Sequence, residues 1–224
     1  MKILIVSATS IEIEPLSEYL MNYGVVQGLN KYQLSDKTLV STLVTGVGGV
    51  RTAFGLANYP NIADFNLLIN VGIAGAYHDK LMLVQVVNVV EDQFGDIGIE
   101  ERNGEFQSVF SIGLEDSNAF PFTCGKILNN DQKYSLQLAQ VSSISFNTVA
   151  GESTTIVDRN RWKADIESME GAAFAYAAKS LQIPYLQLRS ISNYIIPRDK
   201  SQWQMKEAIE NLNNELINFI SILK

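Results

Sequence analysis

Glu12, Glu170 and Asn193 stand where an apolar run stops and a helical pattern or a polar segment begins, the places where reacting groups are usually carried. A carboxylate only accepts hydrogen bonds and has room for two neighbouring donors, whereas an amide both donates and accepts. Each of the three also has a structural reading. Thr9-Ser10-Ile11-Glu12 fits a capping box in which Glu12 folds back onto the cap. An acid such as Glu170 in a first helical turn complements the macrodipole, and a loop asparagine such as Asn193 can satisfy its own backbone. The remaining reactive types narrow the chemistry further. The one cysteine, Cys124, has no partner for a disulfide, and the one histidine, His78, leaves no pair for a zinc site and has no nucleophile motif beside it. Chemistry must therefore rest on carboxylates, amides and hydroxyls, with neither metal nor organic cofactor expected.

The elements that position these residues follow from apolar patterning. Continuous or alternating apolar runs predict strands at residues 3–7, 39–45, 67–71, 83–90 and 185–191, with weaker signals at 105–111, 142–149 and 164–169. Ile13, Leu16 and Leu20 mark a first helix. A second runs from the glycine turn at 46–49 through Ala57, a short one covers 158–163, and the alanine-rich stretch 170–178 follows the strand ending at Met169. Met205, Ile209, Leu212, Leu216, Phe219, Ile220 and Leu223 form the apolar stripe of a last helix. Residues 72–75 read as a glycine-rich strand end, and 192–200 as a polar loop. Such alternation predicts a single α/β domain over 1–224, a three-layer α/β/α arrangement on a mixed central sheet. Ligands in these sheets bind at the carboxyl ends of strands, here Ala8-Thr9, Thr45-Gly46, 72–75, Met169-Glu170 and Ser192-Asn193.

Composition excludes other classes. The chain is 46% hydrophobic and 18% charged, enough to bury a large core. A net charge of -7 opposes nucleic acid and anionic membrane surfaces, and no apolar run is long enough to span a bilayer, so a cytoplasmic location is expected. The glycine turn Gly46-Val47-Gly48-Gly49-Val50-Arg51, with Asp64 downstream, departs from a dinucleotide fingerprint because Arg51 replaces the final glycine and the turn does not follow the first strand. A tight turn with backbone amides at a helix start fits it better, and such amides could still face a ribose or an anion.

Taken together, residues 3–12 with Glu14-Pro15-Leu16, Thr45-Gly46-Val47-Gly48, Asn70-Val71-Gly72-Ile73-Ala74-Gly75, Ser168-Met169-Glu170-Gly171-Ala172-Ala173 and Leu188-Arg189-Ser190-Ile191-Ser192-Asn193 resemble, in order, the nucleoside phosphorylase and nucleosidase superfamily. The resemblance covers nearly the whole chain and implies a homodimer acting on a purine nucleoside. It implies that Glu170 accepts the ribose 2′- and 3′-hydroxyls, that Met169 packs on the sugar, and that Gly75 and Ser192 are substrate contacts. In the branch similar to 5′-methylthioadenosine/S-adenosylhomocysteine nucleosidase, a glutamate at the position of Glu12 is the general base and an arginine at that of Arg189 helps hold the attacking water. Phosphorylases of the superfamily carry a phosphate-binding arginine where this chain has Asn70, so the resemblance implies hydrolysis. Where adenine-cleaving relatives have an aspartate, Asn193 implies a 6-oxopurine, since its amide can donate to N7 and O6.

The stretch Ser192-Asn193 followed by Pro197-Arg198-Asp199 and Trp203, with residues 90–98, is similar to the futalosine hydrolase branch. Its substrate is an inosine derivative with a benzoate-bearing 5′ extension, cleaved to hypoxanthine on a menaquinone route, and Arg198 is a candidate partner for that carboxylate. Arg198 is equally read as pairing with Asp199, and Asp199 or Ser201 as capping the last helix. The methylthioadenosine-type branch places a base-stacking phenylalanine near 151–153, where Thr154-Thr155 follow here. Phe94, Phe146 and Tyr194 are the candidates to replace it. Cleavage of 5′-methylthioadenosine or S-adenosylhomocysteine, phosphorolysis, non-catalytic nucleoside binding and nicotinamide binding are the competing functions.

Overall fold

A computed structural model describes residues 1–130, 134 and 136–223. In chain order its elements are β1 (Lys2–Ser7), α1 (Glu14–Tyr23), β2 (Val25–Gly28), β3 (Lys31–Ser35), β4 (Thr38–Val44), α2 (Gly49–Ala57), β5 (Leu67–Ala76), β6 (Val86–Asp92), β7 (Gly98–Glu100), β8 (Phe106–Ser108), β9 (Ile127–Leu128), β10 (Ala139–Ser145), α3 (Ser153–Asn160), β11 (Ile166–Ser168), α4 (Gly171–Ser180), β12 (Tyr185–Tyr194) and α5 (Met205–Ile222). No helix among the described residues is long and apolar enough to cross a membrane.

The period-two geometry of a strand sorts β1 between two cores. Ile3 and Ile5 face one side with Leu16 and Leu20 of α1 and Leu212, Leu216 and Phe219 of α5. Leu4 and Val6 face the other with Leu56 of α2 and Phe174 and Ala178 of α4. Three layers result, as expected. The ten-stranded sheet has the order β11-β10-β6-β12-β5-β1-β4-β3-β2, with β9 beside β6. β1 pairs in parallel with β4 and β5, and β5 with β12, whereas β6 and β12 run antiparallel. β11 also pairs antiparallel with the far end of β5, so β11, β10, β6, β12 and β5 close into a ring at one end of the sheet.

The structure extends two strands beyond the sequence expectation, and both extensions reach the site. β5 continues through Gly72 and Gly75 to Ala76 instead of stopping at Val71. Glycine serves close approach there rather than chain reversal, for a Cβ at Gly72 would lie 2.8 Å from Glu12 Oε1. β12 likewise runs through Asn193, which the sequence placed in a loop. Ile191 pairs with Ala74 and Asn193 with Gly75, leaving Ser192 as the extra residue of a β-bulge that re-aims the strand end. The β2–β3 hairpin is absent from the sequence expectation because its strands are short, largely exposed and without clean alternation. α3 begins at Ser153, five residues before the predicted start at 158, because Ile156 is buried and anchors a turn of poor intrinsic propensity.

Candidate active site

The carboxyl ends of β1, β5, β11 and β12 surround a cavity of about 300 Å³. Ala8, Thr9 and Glu12 line it from the first strand end, Ala74 and Gly75 from β5, Met169 and Glu170 from the β11–α4 junction, and Ser192 and Asn193 from β12. Ile195, Trp203, Met205 and Ile209 form an apolar wall.

Glu12 sits in a 3₁₀ turn, Ile11–Ile13, that precedes α1. Its Oε2 accepts from the Thr9 backbone N–H at 2.9 Å and the Thr9 hydroxyl at 3.0 Å, so the back-bond of a capping box is present. The same carboxylate accepts weakly from Ile73 N–H at 3.3 Å through Oε1 and lines the cavity. Capping and a reactive position coincide in one side chain.

Glu170 precedes α4, yet its side chain makes no cap bond to that helix. Oε1 instead accepts from the backbone N–H of Gly48 at 2.9 Å. Gly48 has φ of 98°, in the region that favours glycine, and this conformation turns its amide toward the carboxylate. The glycine turn thus presents its amide to an anion that the protein itself supplies. Burial pushes the Glu170 pKa above the ordinary carboxylate value, and the Glu12 charge adds to this. The Gly48 N–H and the Arg189 guanidinium oppose the rise.

Arg189 is 1% exposed and does not itself line the cavity. As the register partner of Gly72 it projects to the face on which the Glu12 carboxylate lies, with Nη1 3.8 Å and Glu12 Oε1 2.8 Å from where a Gly72 Cβ would be. Its guanidinium donates to Leu188 O at 3.0 Å and to Asn70 Oδ1, and Asn70 in turn donates to Val6 O at 3.0 Å. Asn70 is therefore a buried structural acceptor. Burial draws the Arg189 pKa down against the pull of Glu170, Glu12 and Asp92. The guanidinium acts on the two cavity carboxylates through space.

The Asn193 amide is held at both ends. Ser192 Oγ donates to its Oδ1 at 2.8 Å, and its Nδ2 donates to Tyr194 O at 3.0 Å, leaving one N–H of the NH₂ group unused. A Cβ at Gly75 would come within 3.3 Å of Nδ2 and 2.8 Å of Ile195 Cγ1, so only glycine fits between them. Arg198 lies outside the main cavity, exposed, with its guanidinium 5.6 Å from the Trp203 ring. Asp199 does not pair with it but caps a 3₁₀ turn through Ser201, so neither this acid nor Ser201 caps α5.

None of the proposed stacking aromatics lines the cavity. Phe94 packs edge-on against Tyr176, Phe146 lies under the Arg159 guanidinium at 3.8 Å, and the Tyr194 hydroxyl donates to Leu81 O. Trp203 is the aromatic that does. The sequence signal for it is its place just before the apolar stripe of α5. Glu167 is a second lining residue that sequence reasoning passed over, because it is indistinguishable by type from a surface acid.

Under the start of α4 lies a buried polar cluster. Asp92 accepts from Gln187 Nε2 at 2.6 Å, from Gln93 N–H at 2.9 Å and from Ser145 Oγ at 3.2 Å. Burial raises its pKa from 3.8 to about 6 despite those donors and Arg189. A raised carboxylate binds its proton more tightly in the folded state, so its stabilising contribution is complete below the unfolded value and is lost as pH rises through about 6. Between pH 5 and 7 this group is expected to remove about 1 kcal/mol of stability. Chemical denaturation at the two pH values checks this, and Asp92→Asn should flatten the difference.

Comparison with known proteins follows the same outline. The family model of the Phosphorylase superfamily matches residues 2–224. Futalosine hydrolase of Thermus thermophilus is 32% identical over 172 residues, 76% of each chain. A 5′-methylthioadenosine/S-adenosylhomocysteine nucleosidase of Haemophilus ducreyi is 26% identical over 208 residues, covering 86% of this chain and 85% of the other. The crystal structure of the nucleosidase of the same name from Colwellia psychrerythraea, in complex with adenine, superposes with a TM-score of 0.79 over 100% of this chain and 96% of that one, at 18% identity. At that identity the likeness concerns the fold.

Proposed function

The chain belongs to the phosphorylase superfamily, and on that premise we propose that it is a nucleosidase that uses water to cleave the N-glycosidic bond of a 6-oxopurine nucleoside, with futalosine as the leading substrate. The observation that carries the choice of water is the charge of the cavity. Among the described residues its lining contains Glu12, Glu167 and Glu170 and no lysine, arginine or histidine. Phosphate, a dianion at neutral pH, would meet carboxylates without a fixed bidentate cation, whereas neutral water and a cationic sugar suit such a site.

In this reading Glu170 accepts the ribose 2′- and 3′-hydroxyls and Met169 packs on the sugar. As the C1′–N9 bond breaks, its electron pair passes to the purine and positive charge develops on the ribose ring, which the Glu170 carboxylate favours. Glu12 takes a proton from water as the new C1′–O bond forms. The unused N–H of Asn193 donates to the purine at N7 or O6, where negative charge accumulates on the departing base. Arg189, on the same face of Gly72 as Glu12, offsets the repulsion between Glu12 and Glu170.

The 5′ end of the nucleoside is the part that separates futalosine from a methylthio compound. A shallow annex lined by Arg198, Lys200 and Lys206, with Glu207, shares Trp203 and Met205 with the main cavity. In a chain of net charge -7 this local basic cluster suits an anionic substituent reaching past the tryptophan. Arg198→Ala is expected to raise KM for futalosine roughly tenfold while leaving that for inosine unchanged. An equal effect on both nucleosides would remove Arg198 from the 5′ site. The decisive assay is incubation with futalosine, inosine and methylthioadenosine in phosphate-free buffer. Hypoxanthine and free sugar are expected, adenine release from methylthioadenosine would favour the adenine-cleaving alternative, and a phosphate requirement with ribose 1-phosphate as product would overturn hydrolysis.

A further inference from the structure

We propose that Ser145 is a positioning residue for the ribose carboxylate: its hydroxyl caps the helix that Glu170 begins, which releases the Glu170 side chain from that helix into the cavity. The inference rests on the sugar-binding role given to Glu170 above and adds to it a residue from another strand. A helix leaves its first N–H groups without intrahelical partners, and the N-cap side chain ordinarily accepts from the second or third of them. Glu170 holds the N-cap position of α4, where its carbonyl accepts from Phe174 N–H at 2.9 Å. Its carboxylate makes no cap bond and accepts from Gly48 instead. Gly171 and Ala172 are buried, so their N–H groups need acceptors from elsewhere in the protein.

Two serines from outside the helix supply them. Ser145 at the end of β10 and Ser168 at the end of β11 are register partners, so their hydroxyls stand side by side on one face, with the Oγ atoms 3.4 Å apart. Ser145 Oγ accepts from Ala172 N–H at 2.8 Å, and Ser168 Oγ from Gly171 N–H at 3.3 Å. Ala172 is the second residue of α4, the donor that an N-cap side chain would serve. The single hydroxyl proton of Ser145 goes to Asp92 Oδ1 at 3.2 Å, which leaves the serine lone pairs for the helix. Its backbone is fixed as well, donating to Gln93 O and accepting from Gly95 N–H, each at 2.9 Å.

The cluster lies directly against the helix start, for a Cβ at Gly171 would be 2.2 Å from Asp92 Oδ2 and 2.9 Å from Ser168 Oγ. The Asp92 carboxylate therefore occupies the positive end of the α4 dipole, where an acid at the N-cap would otherwise be favourable. Both reasons for Glu170 to turn back onto its helix, a free N–H and an uncompensated dipole, are met by other residues. Its carboxylate is left to the Gly48 N–H and the cavity, with acceptor sites for two hydroxyls. Without the Ser145 hydroxyl, Ala172 N–H becomes a buried donor lacking an acceptor, and Glu170 is placed to supply one.

The test is a double-mutant cycle in melting temperature with Ser145→Ala, Glu170→Ala and the double variant, joined to pH profiles of kcat/KM for wild type and Ser145→Ala. Loss of the cap is expected to lower Tm by roughly 3 °C in the Glu170→Ala background. With Glu170 present the loss should be about half as large, because the carboxylate turns back and takes the bond. Consequences of Ser145→Ala for Asp92 and Ser168 occur in both backgrounds and cancel in the cycle. The same turn withdraws the carboxylate from the sugar, so kcat/KM of Ser145→Ala on the nucleoside is expected to fall roughly tenfold or more. Its acidic limb should move downward, since N–H donors favour the ionised acid. Equal Tm losses in the two backgrounds, an unchanged kcat/KM or an unmoved acidic limb would mean that Ser145 only stabilises the fold, and each overturns the proposal. Should Ser145→Ala not fold, the ¹³C resonance of the Glu170 carboxyl is titrated in wild type. Titration above the ordinary carboxylate range is expected, and titration within or below that range would mean that Glu170 caps its own helix, which overturns the proposal as well. The melting cycle needs no substrate. If wild type cleaves no purine nucleoside the nucleosidase reading fails, while the cycle still decides whether Ser145 holds Glu170 off its helix.

Discussion

Glu12→Gln is expected to lower kcat on the 6-oxopurine nucleoside by roughly 10³-fold while KM changes no more than a few-fold. The substitution is isosteric and its local geometry survives. A glutamine Oε1 can still accept from the Thr9 N–H and hydroxyl, which now bind Glu12 at 2.9 and 3.0 Å, so the turn before α1 keeps its anchor. Besides basicity, only the weak bond that Oε1 accepts from Ile73 N–H at 3.3 Å is removed, since the new NH₂ faces that donor. A group whose whole purpose was capping would be replaced with a loss of a few tenths of a kcal/mol in stability and none in turnover. A steady-state assay with a parallel melting curve separates the two. Unchanged kcat would end the general-base assignment, and an unchanged Tm with collapsed kcat would support it. Gly72 leaves the room that the Glu12 carboxylate occupies, since any Cβ there would displace the oxygen that lies 2.8 Å from its position.

That one carboxylate both back-bonds to Thr9 and lines the cavity shows why sequence could name the residue without choosing its role. Thr9 and Glu12 satisfy a local rule completely, and nothing local distinguishes a back-bonded carboxylate from one that also faces a cavity. The layers were legible because β1 alternates between two cores and α5 carries one apolar stripe, patterns that need only period and length. The strand ends were not, because glycine is read as a turn signal. In Gly72 and Gly75 it marks instead the close passage of Glu12 and Asn193 across a continuing strand. The closing of β11 onto β5 depends on long-range pairing, so the neighbourhood of Glu167, Gly75 and Asn193 has no trace in local pattern. Arg189 illustrates a different limit. Its side chain is buried and bonds Asn70 and Leu188, and no local pattern around it signals that a charged group is to be enclosed. Glu170 shows the reverse case, a residue whose cap reading disappears because its side chain reaches Gly48 on another element.

Glu170→Gln should separate activity from stability in opposite directions. Burial holds the Glu170 pKa above the ordinary carboxylate value, so the folded protein binds that proton more tightly than the unfolded chain does. The stabilising contribution of such a group is full below the unfolded pKa and is lost as pH rises through the folded one. At neutral pH the buried charge is therefore a cost, offset in part by the Gly48 N–H and by Arg189. A glutamine Oε1 can keep the Gly48 bond and carries no charge, so Tm at neutral pH is expected to rise in the variant. Activity should fall about 10³-fold, because the amide neither accepts from both ribose hydroxyls nor favours a cationic sugar. The same shift predicts an acidic limb in kcat/KM displaced upward from the usual carboxylate range, since the protonated acid cannot stabilise that charge. A variant that loses activity and stability together would mean that the carboxylate holds the glycine turn in place. A variant that gains stability while losing turnover would identify a charge kept at a cost to folding because the sugar needs it.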